Sequence, residues 1–245
     1  MRLVFALALA LAAPLSMAQE LLVSAAASLT NAFRDVGKAF EAQRPGVTVA
    51  FNFASSDVLV TQIAKGAPAD VFASADQEAM NRGEAANAIL AGTRRDFAAN
   101  ALVLVVPTGG TPPATLAALA DGRFRKIALG SPQTVPAGRY AKEALDAASL
   151  WMPLQARLVF AQNVRQVLDY VARSEAEAGF VYATDAAIMP DKVKVAFDVP
   201  TATPVRYPIA VVKDTKHADL AKAFVAYVAS DAGQQLLRKY GFRAP

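Results

Sequence analysis

Residues 21–77, LLVSAAASLTNAFRDVGKAFEAQRPGVTVAFNFASSDVLVTQIAKGAPADVFASADQ, carry the pattern that decides the fold class. Short β-rich segments alternate in this stretch with segments whose apolar residues recur at helical spacing. The β-rich segments are 21–25, 47–53 and 70–73, and the helical ones are 28–43 and 56–65. Strands that alternate with helices form a mostly parallel sheet covered on both faces, so the stretch predicts an α/β fold.

The same alternation continues through the rest of the chain. Residues 101–106, ALVLVV, predict a buried strand, and a loop rich in proline and glycine follows at 107–113. Further predicted strands are 126–129, 158–161, 179–182 and 207–212, and further predicted helices are 136–148, 163–173, 217–229 and 231–240. Ligands of open α/β sheets bind beyond the carboxyl ends of the strands. We therefore expect the functional residues in the turns from strand to helix.

Residues 1–18 have the pattern of a secretory signal peptide. Arg2 supplies a positive start, residues 3–13 are apolar but too few to span a bilayer, and Ser-Met-Ala at 16–18 is a small-x-small cleavage site. We expect cleavage after Ala18 and release into the periplasm. Because the chain has no cysteine, the cleavage site lacks the residue needed for a lipid anchor, and we expect no membrane anchor.

Composition argues against several functional classes. The formal net charge is only +4 and no basic run occurs, so a nucleic-acid partner is not expected. The lack of cysteine excludes disulfides, zinc–thiolate sites and thiol nucleophiles. The only histidine, His217, begins a predicted helix, and Asp70, Asp76 and Glu78 do not have the arrangement of a metal cage. Without a recognisable nucleophile or acid–base pair, we expect a binding protein and not an enzyme.

Four turns from strand to helix could hold an anion. They are residues 25–29, 53–56, 134–138 and 162–164. The first backbone N–H groups of a helix lack partners and the helix dipole makes that end positive, so several helix ends that face one point can bind an anion without a cationic side chain. Each turn alone is also an ordinary helix start, since serine, asparagine and proline are common there.

Several segments, in the same order over nearly the whole chain, resemble the periplasmic molybdate-binding protein family. They are AAASLTNAF at 25–33, FASS at 53–56, QIAKGAPADVFASADQ at 62–77, VPAGRYAKEAL at 135–145, NVRQVL at 163–168, GFVYATDA at 179–186 and KYGF at 239–242. The resemblance implies a two-lobed, Venus-flytrap fold of the second periplasmic-binding-protein class, each lobe a mostly parallel sheet flanked by helices. Lobe one would comprise 19–100 and 207–245, and lobe two would comprise 101–206.

The resemblance also implies the ligand and the residues that hold it. The family binds its anion between the lobes, and its motif positions match Ser28 and Ser56 in lobe one and Ala137, Val164 and Tyr182 in lobe two. By similarity the serines and the tyrosine donate hydroxyl groups, and Ala137 and Val164 donate backbone N–H groups. Molybdate or tungstate would be bound as the oxoanion, with no cofactor and no direct bond from protein to metal.

Transport is the role that the resemblance implies, and rival roles stay open. A monomer would capture the oxoanion and deliver it to an ABC-type permease in the inner membrane. Within the same class, the ligand could instead be another tetrahedral oxoanion such as sulfate or phosphate. An enzyme on the same two-lobed fold is the rival from another class, and it would need a reactive side chain in the cleft.

Asp57 is the one departure from the family pattern near the predicted site. It follows Ser56, at a position where members of the family that the chain resembles usually carry a small or neutral residue. A carboxylate that faces a bound dianion would repel it, whereas an acid in the first turn of a helix complements the positive helix end. We expect the Asp57 side chain to point outward into solvent.

Overall fold

The structure, a computed structural model, describes residues 19–245, and the predicted signal peptide lies outside the described residues. The strands are β1 (Gln19–Ala26), β2 (Val47–Ala54), β3 (Val71–Ala73), β4 (Arg95–Asn100), β5 (Leu102–Pro107), β6 (Ile127–Gly130), β7 (Leu158–Ala161), β8 (Ala178–Tyr182), β9 (Val193–Asp198) and β10 (Val205–Val211). The helices are α1 (Thr30–Ala42), α2 (Ser56–Ala64), α3 (Gln77–Ala85), α4 (Pro136–Ala147), α5 (Trp151–Leu154), α6 (Val164–Ala172), α7 (Ala183–Ala186), α8 (Ala218–Ala229) and α9 (Asp231–Lys239).

The strands form two five-stranded sheets, which we take to define lobe one and lobe two. The order is β2-β1-β3-β10-β4 in the first sheet and β7-β6-β8-β5-β9 in the second. In each sheet four strands run in one direction, and only β10 or β5 pairs antiparallel with both of its neighbours. This architecture is the mostly parallel, two-sheet α/β fold that the sequence predicts.

The chain passes between the two sheets twice. It leaves the first sheet after Asn100 and enters the second at Leu102, and it returns between Asp198 and Val205. The second crossing ends at β10, which pairs with β4 from Val205 onward, close to the lobe boundary expected near residues 206–207. The helices α8 and α9 then complete lobe one, where α9 packs against α1 and α8 against β10.

Helices reach the core through the apolar faces that the sequence pattern indicates. In α1, Phe33, Val36 and Phe40 are fully buried, and the rings of Phe33 and Phe40 meet Phe224 of α8 edge-on, with centroids 6.2 and 5.2 Å apart. Burying one such side chain stabilises the fold by about 1.5–3 kcal/mol. These contacts join the C-terminal helices to the N-terminal half of lobe one.

Two strands were not anticipated from the sequence, and both lie at sheet edges. β4 (RDFAAN) closes the first sheet, and β9 (VKVAFD) closes the second. An edge strand has one exposed side and tolerates charged residues, so neither segment has the continuous apolar run of a central strand. Over residues 19–245, no helix combines the length and hydropathy needed to cross a membrane.

Candidate functional site

A cavity lies between the two sheets, at the carboxyl ends of their parallel strands. In lobe one it is lined by the residues that end or follow β1, β2 and β3, namely 26–28, 55–56 and 75. In lobe two it is lined by the residues that follow β6 and β7 and end β8, namely 135–137, 163–164 and 182. No charged residue belongs to this lining. The position is the one at which open α/β sheets bind ligands.

All five residues predicted for the site line this one cavity. Ser28 and Ser56 approach from lobe one, and Ala137, Val164 and Tyr182 approach from lobe two. None of the five is more than 4% exposed, so these residues are shielded from bulk solvent. Their bonds to a ligand stay a prediction.

The start of α4 brings the backbone of Ala137 to the cavity. Pro136 occupies the first turn of the helix and has no N–H, so Ala137 follows with a backbone N–H that has no partner within the helix. Gly138 allows this approach, because a Cβ atom there would lie 1.9 Å from the carbonyl oxygen of Gly130 at the end of β6. The helix end can therefore lie directly against the strand.

The start of α6 brings the backbone of Val164 to the cavity. Asn163 caps this helix, and its side-chain oxygen accepts the backbone N–H of Gln166 at 3.0 Å. The asparagine side chain is thus used by the helix itself, as an ordinary cap. The N–H of Val164, at the first helical position, has no partner within the helix and is the donor that this turn can offer to an anion.

Two neighbouring serines of lobe one, Ser55 and Ser56, can offer hydroxyl protons to the cavity. Ser56 Oγ accepts the backbone N–H of Ala75 at 3.0 Å, which leaves its own proton available to the cavity. Ser55, which is not one of the five predicted site residues, also lines the cavity, and its buried hydroxyl has no hydrogen-bond partner. Because buried hydroxyl groups are nearly always paired, Ser55 is a further candidate donor, and only its burial reveals it.

Tyr182 closes the cavity from lobe two with a neutral phenol. Burial raises the pKa of Tyr182 well above its ordinary value, so the hydroxyl keeps its proton and can donate. It lies 3.4 Å from the carbonyl oxygen of Ala75 in lobe one, which is a long hydrogen bond. The phenol is therefore available to a better acceptor in the cavity.

Asp57 neither faces the cavity nor points into solvent, so the expectation of a solvated side chain is wrong. It is buried, and its carboxylate accepts from Arg139 Nη2 at 2.8 Å and pairs with Arg82 Nη1 at 2.9 Å. Arg139 belongs to α4 of lobe two and also pairs with Asp76 at 2.6 Å. The acid is buried here because an arginine from the opposite lobe neutralises it.

The charge of Arg139 is held by its partners. Burial alone would lower its pKa, but the carboxylates of Asp76 and Asp57 outweigh burial and keep that pKa above its ordinary value. The guanidinium therefore remains a cation that joins α4 to the starts of α2 and α3. It comes two residues after Ala137, yet it points toward lobe one and does not line the cavity.

Arg165 makes a second bridge between the lobes, next to Val164. Its Nε donates to the buried Asp185 at 2.5 Å within lobe two. Its terminal nitrogens reach lobe one, where they donate to Asn31 Oδ1 at 2.7 Å and to the carbonyl oxygen of Ser28 at 3.0 Å. The two arginines thus each make contacts between the lobes, and neither of them lines the cavity.

The described residues contain no candidate metal cluster. Between residues 19 and 245, no group of three or more histidine, aspartate or glutamate side chains could hold a metal ion. The cavity itself presents hydroxyl groups, backbone N–H groups and apolar side chains. Such a set can bind an anion, but it contains no general base or strong nucleophile.

Comparison with known proteins agrees with this geometry. Residues 21–243 match the family described as bacterial extracellular solute-binding protein. The chain belongs to this family. Among its relatives are the molybdate-binding proteins ModA of Escherichia coli, 38% identical over 91% of this chain and 88% of that protein, and of Haemophilus influenzae, 37% identical over 91% and 89%.

Solved structures of periplasmic binding proteins share the fold of this solute-binding protein. The periplasmic molybdate-binding protein of Azotobacter vinelandii superposes with a TM-score of 0.81 at 26% identity, and covers 92% of this chain and 99% of that one. The sulfate-binding protein SubI of Mycobacterium tuberculosis superposes with a TM-score of 0.78 at 18% identity, over 92% and 87%. At that identity the second likeness concerns the fold alone.

Proposed function

We propose that this protein is an extracytoplasmic receptor that captures molybdate, and also tungstate, and delivers it to an ABC-type importer in the inner membrane. The observation that carries the proposal is the uncharged cavity between two sheets, lined by serine and tyrosine hydroxyls and by helix N-termini. Such donors bind a dianion without a counter-charge. The molybdate-binding relatives at 37–38% identity make molybdate the first ligand to test.

Ser28, Ser56, Ala137, Val164 and Tyr182 are the residues that we propose bind the anion. Fixed donors select a fully deprotonated oxoanion, because a proton on the ligand would face a protein donor with no acceptor. We propose that lobe one comprises residues 19–100 and 207–245 and that lobe two comprises residues 101–206. Strand β10 of lobe one begins two residues before the boundary at 206–207. We also propose that the protein is a periplasmic monomer without an anchor.

Calorimetric titration of residues 19–245 with molybdate, tungstate, sulfate and phosphate tests the ligand. Molybdate and tungstate should bind, and sulfate and phosphate should bind far more weakly. A ligand at a thousandfold excess over its Kd stabilises the folded state by about 4 kcal/mol, so molybdate should also raise the melting temperature by several degrees. Equal binding of sulfate would reject molybdate as the preferred ligand.

Substitutions test the pocket separately from the ligand. Ser28→Ala, Ser56→Ala and Tyr182→Phe each remove one hydroxyl, and a hydrogen bond to a charged group is worth roughly 1.5–3 kcal/mol, so molybdate affinity should fall about ten- to a hundredfold. The control is Ser230→Ala, which removes a hydroxyl that caps α9 and should lower stability but not affinity. Unchanged binding in all three cavity variants would place the anion elsewhere.

A further inference from the structure

A chain of hydrogen bonds runs from the first crossing between the lobes to the cavity. Asn100 is the last residue of β4, and Tyr207 lies in β10. The Tyr207 hydroxyl is 3.0 Å from Ser28 Oγ and 3.3 Å from Asn100 Nδ2. Tyr207 is fully buried and does not line the cavity. Its ring packs edge-on against that of Tyr182, with centroids 5.7 Å apart, and its hydroxyl is linked to the cavity through Ser28.

The orientation of the Asn100 amide fixes the direction of these bonds. Its Oδ1 accepts the backbone N–H of Ala101 at 2.9 Å, and its Nδ2 therefore faces Tyr207 and Thr184 Oγ1, the latter at 2.8 Å. An amide nitrogen only donates. The Tyr207 oxygen thus accepts from Asn100, and its single proton has Ser28 Oγ as the acceptor.

The reverse direction would leave a buried group unpaired. If Ser28 donated to Tyr207, the phenolic proton of Tyr207 would have no acceptor, and unpaired buried donors are costly. Burial also raises the pKa of Tyr207 well above its ordinary value, so the proton is retained. With Tyr207 as the donor, the Ser28 proton is free to point into the cavity.

We propose that Asn100 and Tyr207 are positioning residues that hold the Ser28 hydroxyl as a donor to the bound oxoanion. The inference rests on the proposed function and deepens it. The Ser56 hydroxyl is also held as a donor, because its oxygen accepts the backbone N–H of Ala75. Both serines therefore present protons to the ligand, and the site favours an oxoanion that carries none.

A double-mutant cycle with Tyr207→Phe and Ser28→Ala tests the inference. Molybdate affinity is measured by calorimetry for the unchanged protein, each single variant and the double variant. Tyr207→Phe should lower affinity about tenfold, and in the Ser28→Ala background it should change affinity by less than about twofold, since interacting sites are not additive. The matched control is Tyr240→Phe, whose hydroxyl bonds Asp35 at 2.6 Å and should not affect affinity.

Four outcomes of the cycle would contradict the inference or the binding role on which it rests. If Ser28→Ala lowers affinity and Tyr207→Phe does not, or if the two losses multiply, Tyr207 does not act through Ser28 and the inference fails. If Ser28→Ala itself leaves affinity unchanged, Ser28 does not bind the anion, and the positioning role of Tyr207 fails with it. A lower melting temperature with unchanged affinity would reduce Tyr207 to a structural residue and overturn the inference.

Asn100→Asp gives a second, independent test should Tyr207→Phe not fold. The aspartate keeps an acceptor for Ala101 but offers Tyr207 an acceptor in place of a donor, so the bond between Tyr207 and Ser28 should reverse and the anion should lose the Ser28 proton. We expect a larger loss of affinity with Ser28 present than in the Ser28→Ala background. Equal losses in the two backgrounds would mean that only the added charge acts, and would overturn the inference.

Discussion

Replacing Arg139 with methionine should weaken anion binding much more than it weakens the fold. The change removes the cation that joins Asp57 and Asp76 of lobe one to α4 of lobe two. Methionine keeps much of the side-chain length but carries no charge. The variant therefore isolates the ionic contact between the lobes from the packing of α4.

The expected magnitude follows from burial. The side chains of Arg139, Asp57 and Asp76 are 13%, 4% and 5% exposed, and removing one partner of a buried ion pair costs about 3–5 kcal/mol. Asp57 keeps Arg82, and Asp76 keeps the backbone N–H of Ala79, so we expect a cost near the lower end.

That cost arises only while the lobes are in contact. Opening the cleft would hydrate Asp57 and Asp76 and relieve the penalty, so the ligand-free variant should melt at nearly the same temperature. Binding requires the closed cavity, and molybdate affinity should fall by up to about a hundredfold, which corresponds to about 2.7 kcal/mol.

The prediction is checked by measuring molybdate affinity by calorimetry and the melting temperature of the ligand-free protein, for Arg139→Met and for a control variant. The control is Arg82→Met, because Arg82 pairs with the same Asp57 carboxylate but from within lobe one, and its side chain is 48% exposed. It should change affinity by less than about threefold, since exposed pairs contribute about 0–1 kcal/mol. Equal losses in the two variants, or unchanged affinity in Arg139→Met, would refute a role for closure across the cleft.

Three further substitutions have expected outcomes. Asp57→Ser should lower molybdate affinity by about three- to tenfold, or roughly 1 kcal/mol, and a gain measured by titration would mean that the carboxylate opposes the anion. Ser55→Ala should lower affinity in the same titration but leave the melting temperature of the free protein unchanged, because this hydroxyl makes no capping bond. Tyr240→Phe should reduce stability most above the ordinary pKa of aspartate, and the difference from the unchanged protein should shrink as pH falls below that value toward the lowered pKa of Asp35. The Tyr240 hydroxyl lowers the pKa of Asp35, so its stabilising bond is present when Asp35 is ionised and lost as pH falls; melting curves from pH 3 to 7 check this.

Sequence patterns predicted the central strands and the helix starts, and missed what depends on distant partners. The run at 101–106 and the turns at 134–138 and 162–164 carry local signals, and the structure brings the predicted site residues of those turns into one cavity. The environment of Asp57 was missed because its partner Arg139 is 82 positions away, and no periodicity links the two. The edge strands β4 and β9 were missed because they carry charged residues, which an exposed edge tolerates, and therefore lack a continuous apolar run.

Because β10 belongs to the first sheet, all strands of lobe two are synthesised before the strands of lobe one are complete. The second sheet uses only the continuous stretch from Leu102 to Asp198, whereas β4 joins the first sheet through β10, which begins about 100 residues after β4 ends. A chain that emerges from its N-terminus therefore carries an unfinished first lobe until nearly all of it has been made. That delay suits a precursor with the predicted signal peptide, because the segment that directly follows the signal is the last to complete its fold.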